Sequence, residues 1–108
     1  MKRGELYRVS LGSSIDTKKQ RVYIIVSRQE LIDSAYSTLI CAPVYTTFER
    51  LSTQIEIGIK EGLKHDSAIR CDELISIQKN RLTDYVGCLS EEKLYELETA
   101  LAIAVGLE

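Results

Sequence analysis

The pattern of apolar and polar positions changes period once along the chain. From Glu5 to Leu11, Tyr7, Val9 and Leu11 alternate with Glu5, Arg8 and Ser10, which predicts a first strand with one wet face. Val22 to Val26 is an unbroken β-branched and aromatic run. Such runs suit a strand buried on both faces, so Gln20 to Ser27 is predicted to form the centre of a sheet. Thr38 to Val44 reads as a second buried strand, with Pro43 near its end at a predicted edge. Thr53 to Ile57 alternates cleanly. Ser67 to Cys71 and Leu74 to Ile77 are short strand-like runs divided by Asp72-Glu73, and Tyr85 to Cys88 is the last. Arg28 to Ala35 has room for only a turn or two of helix.

After Cys88 the spacing becomes helical. Ser90 fits an N-cap, Glu91 and Glu92 complement the positive end of the dipole, and Leu89 is placed to staple Leu94. Leu94, Leu97, Leu101, Ala104 and Val105 form one apolar stripe that Gly106 ends. Short strands followed by a single helix, with few crossovers long enough for parallel pairing, predict a small, mostly antiparallel barrel in the α+β class. Residues 1–108 are read as one domain, since a chain of 108 residues has room for one core.

Composition changes this picture little. A content of 44% hydrophobic and 28% charged residues is that of an ordinary globular domain and excludes disorder. No apolar run reaches the length of a membrane span and no signal-type apolar region follows Met1, so a cytoplasmic protein without a membrane partner is expected. Cys41, Cys71 and Cys88 are too few and too far apart for a disulfide framework or a metal site. All three lie in strand-like runs and are expected to be buried thiols. The net charge of −2 is unevenly spread: residues 90–108 carry five glutamates against Lys93, leaving a slightly basic remainder compatible with a phosphate-binding face.

Two constellations carry candidate chemistry. Arg21 sits where the central strand begins, its backbone fixed and its guanidinium at the rim, as a rigid phosphate contact requires; a pairing with a surface carboxylate is the alternative. Lys18 and Lys19 precede it in a polar loop. In an extended Arg70-Cys71-Asp72, Arg70 and Asp72 project to one face, either as a structural ion pair or as an acid–base device. His65 is the only histidine and is read as a loop residue.

Taken together, these residues resemble the MazF/PemK family of type II toxins over nearly the whole chain. The resemblance runs through Lys2-Arg3-Gly4-Glu5-Leu6-Tyr7, Arg21 leading into Val22 to Ser27, and Ala42-Pro43-Val44 followed by threonines. It continues through Leu51 to Glu56, Arg70-Cys71-Asp72, Arg81-Leu82, Gly87 to Ser90 and the leucine-rich last helix. It implies an SH3-like, CcdB/PemK-like barrel, a homodimer, and a metal-independent endoribonuclease that cuts single-stranded RNA without a cofactor and is neutralised by a cognate antitoxin. It also implies Arg21 as transition-state clamp, Arg70 and Asp72 as acid and base, and Thr46 or Thr47 as the phosphate-binding hydroxyl. Asp16, Lys18, Lys19, Gln20, Tyr45, Phe48 and Glu73 are the expected RNA contacts. Two features depart from the family: Ile15 to Gln20 replaces its usual Gly-x-Glu-Gln-x-Gly segment and Val22 its proline, and Tyr45 stands where a threonine is usual. These departures keep open a second reading, a nuclease-inactive protein of the same fold that grips another protein such as DNA gyrase.

Overall fold

The computed structural model describes residues 1–10 and 20–108. Seven strands, β1 (Glu5–Ser10), β2 (Gln20–Ile25), β3 (Thr38–Tyr45), β4 (Gln54–Ile57), β5 (Ser67–Arg70), β6 (Ile75–Gln78) and β7 (Asp84–Cys88), join one curled sheet. Among the described residues there are also two α-helices, α1 (Gln29–Ile32) and α2 (Glu91–Ala104), and three short 3₁₀ turns. Every pairing is antiparallel, in the order β4-β5-β3-β2-β1-β7, with β6 also on β3. This is the predicted mostly β architecture, a half-barrel with a C-terminal helix.

The central strand behaves as its unbroken apolar run requires. Ile24 faces one core with Leu6, Ile55, Ile69, Leu97 and Ala100, while Tyr23 and Ile25 face a second with Tyr7, Leu39, Cys41 and Ile77. β1 departs from simple alternation because Leu6 is fully buried on the face opposite Tyr7. Pro43 lies inside a central strand, not at an edge, and is paired with Tyr23. It is tolerated because β3 pairs with β6 through Cys41 and with β5 from Val44, so Pro43 falls in the split between them.

Helix α2 begins as predicted, with Ser90 Oγ accepting a 3.2 Å bond from Lys93 N–H. It ends in a Schellman arrangement: Gly106 has φ 78°, its N–H bonds to Ile103 O, and Leu107 N–H bonds to Ala102 O. Lys93 Nζ donates to Glu56 O at 2.8 Å and ties the helix to β4. Of the predicted stripe, Leu97 is buried and Leu94, Leu101 and Ala104 are partly buried; Ala100, outside the stripe, is buried too, and Val105 is exposed because the helix has already terminated there.

The curl brings the edge strand β7 against the connection that follows β4, backbone to backbone. A Cβ on Gly87 would stand 2.0 Å from Glu61 O, and one on Gly62 2.3 Å from Val86 O. Gly62 also has φ 97°. Only glycine permits both this approach and that backbone conformation.

Candidate active-site cleft

The β2–β3 register pairs Tyr23 with Pro43, and continuing it brings Arg21 across from Tyr45. Pairing with Val9 holds the Arg21 backbone. Its NH1 donates to Val44 O at 3.3 Å, and its Cζ lies 3.9 Å from the centre of the Tyr45 ring. Arg70, the last residue of β5, stacks on the same ring at 3.8 Å. One face of a phenol has no room for two guanidinium groups, so the ring separates them. Each stacking contact contributes about 0.5–1 kcal/mol at an exposed site.

Two carboxylates complete this sandwich. The Tyr45 hydroxyl donates to Glu73 Oε1 at 2.8 Å, Arg70 NH1 donates to Glu73 Oε2 at 3.2 Å, and Arg70 NH2 lies 3.4 Å from Glu49. The bond from Tyr45 lowers the Glu73 pKa most, burial opposes it, and Arg70 and then Arg21 add to the lowering. The same bond to Glu73, and then burial, raise the Tyr45 phenol, with Arg21 and Arg70 pulling the other way. Glu49 is itself held, its Oε1 accepting from Gln54 Nε2 at 3.1 Å.

The expected side-by-side pairing of Arg70 with Asp72 is not what forms. Cys71 to Glu73 make a single 3₁₀ turn instead of an extended link. With three residues per turn, Arg70 aligns with Glu73 rather than Asp72. Asp72 Oδ2 instead accepts a 2.6 Å bond from Thr53 Oγ1. Cys41 and Cys71 are buried as expected, but Cys88 is exposed at the end of β7, where the sheet has its edge.

On the Arg21 side of Tyr45 a cleft of about 380 Å³ opens. Gln20, Arg21, Tyr45, Thr46 and Thr47 line it, bringing together five of the residues singled out from sequence. Arg70, Asp72 and Glu73 lie outside this lining, and Phe48 is half-buried away from it. Asp16, Lys18 and Lys19 fall outside the described residues. The cleft also takes Arg8 from β1 and Lys64 and His65 from the connection into β5; the sequence pattern alone places Arg8 at a solvent edge and His65 in a loop. The only signal for His65 was its uniqueness as an imidazole; its place in the same cleft as Arg21 depends on long-range pairing. Among the described residues no group of three or more His, Cys, Asp or Glu is placed to hold a metal ion.

The chemistry on offer is therefore anion binding at a rigid guanidinium, two exposed hydroxyls, two further cations and one imidazole. Such a surface suits the phosphate backbone of a single strand of nucleic acid.

Comparison with known proteins bears on this surface. A family model described as PemK-like, MazF-like toxin of type II toxin-antitoxin system matches residues 2–105. The chain is 30% identical to endoribonuclease EndoA of Bacillus subtilis over 99% of its own length and 96% of that protein. It is 30% identical to endoribonuclease MazF of Staphylococcus epidermidis over 99% of its length and 92% of that protein. Among solved structures it is similar to a mycobacterial endoribonuclease in complex with its cognate antitoxin. The TM-score is 0.84 at 25% identity, covering 98% of this chain and 95% of that one. It shares its fold with Mycobacterium tuberculosis toxin MazF-mt6, with a TM-score of 0.83 at 23% identity, covering 96% of this chain and 98% of that one.

Proposed function

The chain belongs to the PemK-like, MazF-like family of type II toxin–antitoxin toxins, and on that footing we propose that the Arg21 cleft is where it cuts RNA. The protein is an endoribonuclease toxin whose substrate is single-stranded RNA, whose partner is a cognate antitoxin, and which works as a homodimer. No helix among the described residues is long and apolar enough to cross a membrane, and the site of action is the cytoplasm, where messenger RNA is met.

The observation that carries the assignment of the cleft is Arg21. Strand pairing, the bond to Val44 O and the Tyr45 ring hold its guanidinium at the wall of a cleft that also presents Thr46 and Thr47. In cleavage of RNA by its own 2′-hydroxyl, negative charge accumulates on the phosphate oxygens as the 2′-oxygen adds to phosphorus. A preplaced guanidinium stabilises that charge without reorganisation. Thr46 and Thr47 donate to the same or the adjacent phosphate, Gln20 contacts the strand, and the expected product end is a 2′,3′-cyclic phosphate. Arg70 and Glu73 act at one remove, by holding the Tyr45 ring against Arg21. The reading as a gyrase-binding protein is not favoured, since the relatives above are endoribonucleases.

The test is incubation of the purified protein with a long single-stranded RNA in EDTA, followed by mapping of the ends. Discrete internal cuts with cyclic phosphate ends are expected. RNA left intact at high protein concentration would overturn the proposal.

A further inference from the structure

We propose that His65 is the general base of this cleft, taking the 2′-hydroxyl proton of the nucleotide whose phosphate Arg21 holds; the inference rests on the endoribonuclease reading above. Among its described residues the cleft presents no carboxylate. Its charged lining there is Arg8, Arg21 and Lys64, all cationic. Cations of this kind stabilise developing charge but do not accept a proton.

The described carboxylates around the Tyr45 ring do not line the cleft. Asp72 accepts from Thr53, while Glu73 and Glu49 are bound to Tyr45 and Arg70 beyond the ring. Tyr45 gives its own proton to the bond with Glu73. Among the described lining residues that leaves His65, whose neutral imidazole has a free nitrogen to accept a proton.

The connection that carries His65 is anchored at both ends. Gly62 is packed on the Val86 and Gly87 backbone, and Ser67 Oγ donates to His65 O at 3.0 Å. The backbone is thus fixed while the imidazole stays exposed. The groups that share the cleft with it are Arg8 of β1, which pairs with Asp84 at 3.7 Å, Arg21 of β2, Tyr45 of β3, and Lys64 beside it.

The step balances without a co-reactant other than water. The 2′-hydroxyl proton passes to the imidazole as the 2′-oxygen–phosphorus bond forms. The bond from phosphorus to the 5′-oxygen breaks with its electron pair on that oxygen, which takes a proton from water, and the imidazolium returns its proton to solvent. Arg21 holds the phosphorane charge in between.

The experiment compares initial rates of single-stranded RNA cleavage by wild type, His65→Gln and His65→Ala across about pH 5 to 9. Wild-type activity is expected to fall as pH drops and the base is protonated. Both variants should lose roughly 10²-fold in kcat with KM little changed, and lose that acidic limb. Added imidazole should restore part of the His65→Ala rate. A readout independent of cleavage is the single imidazole Cε1–H resonance, expected to shift when a DNA oligonucleotide, which lacks the 2′-hydroxyl, is added. Variants that keep the wild-type rate and acidic limb, or a resonance that ignores the oligonucleotide, would overturn the role of His65 and leave the endoribonuclease standing. Wild-type protein that leaves RNA intact would overturn both.

Discussion

Asp72 accepts the Thr53 hydroxyl at 2.6 Å, a bond that joins the turn after β5 to the residue before β4. Thr53 is buried, so the contact pins the strand pair that carries Arg70. Thr53→Val should remove about 1 kcal/mol of stability, seen as a fall of several degrees in melting temperature. Asp72→Ala should behave alike and keep RNA cleavage within a few-fold of wild type. A large loss of kcat in Asp72→Ala at unchanged stability would return Asp72 to the chemistry.

Tyr45 separates two guanidinium groups, and its ring and its hydroxyl do different things. Tyr45→Phe keeps both stacking contacts and should retain most activity. Tyr45→Ala brings Arg21 and Arg70 face to face and should cost at least about tenfold in kcat/KM, since Arg21 loses its fixed orientation. In Tyr45→Phe the Glu73 carboxylate loses the first cause of its lowered pKa. A lowered carboxylate contributes stability above its unfolded pKa and loses it as pH falls through the folded value. Acid unfolding of Tyr45→Phe should therefore begin at higher pH than in wild type.

At alkaline pH the sign reverses. Burial, then the bond to Glu5, push the Tyr7 phenol up to about 12. A raised pKa gives stability that is present below the ordinary phenol range and is lost as pH rises through the folded value. Ultraviolet titration should show Tyr7 ionising last, near 12, together with loss of the fold. Tyr7→Phe should remove that late transition.

The thiols should divide two to one. Burial pushes Cys41 and Cys71 up to about 12, whereas Cys88 is exposed. Since the thiolate is the reactive form, a chromogenic disulfide reagent should label Cys88 alone in native protein and all three after denaturation.

The glycine contact that closes the curl leaves no room for a methyl group. Gly87→Ala drives a Cβ into Glu61 O and should cost about 1–3 kcal/mol or more. Gly106→Ala, with open space around it, should cost less and only through its backbone conformation.

The fold was legible wherever local pattern carries the information. The β-branched run at Val22 to Val26 marked the central strand, and Ser90 and Gly106 marked both ends of α2. Pro43 misled because a split in the sheet, a tertiary feature, supplies the tolerance that sequence reasoning assigns to edges. The Arg70–Asp72 pairing failed because one 3₁₀ turn changed the period from two to three. Arg21 was legible from its place at a strand mouth. The stacking of Tyr45 and the arrival of Arg8 and His65 were not, since each depends on residues far apart in the chain.

The central claim is that Arg21 acts at the scissile phosphate, and cleavage by Arg21→Ala measured beside its melting temperature tests it most directly. Arg21→Ala should lose cutting by at least about 10²-fold with the melting temperature nearly unchanged, and Arg21→Lys, whose ammonium lacks the planar fork, should recover little. A stable Arg21→Ala variant that still cuts RNA at the wild-type rate would contradict it.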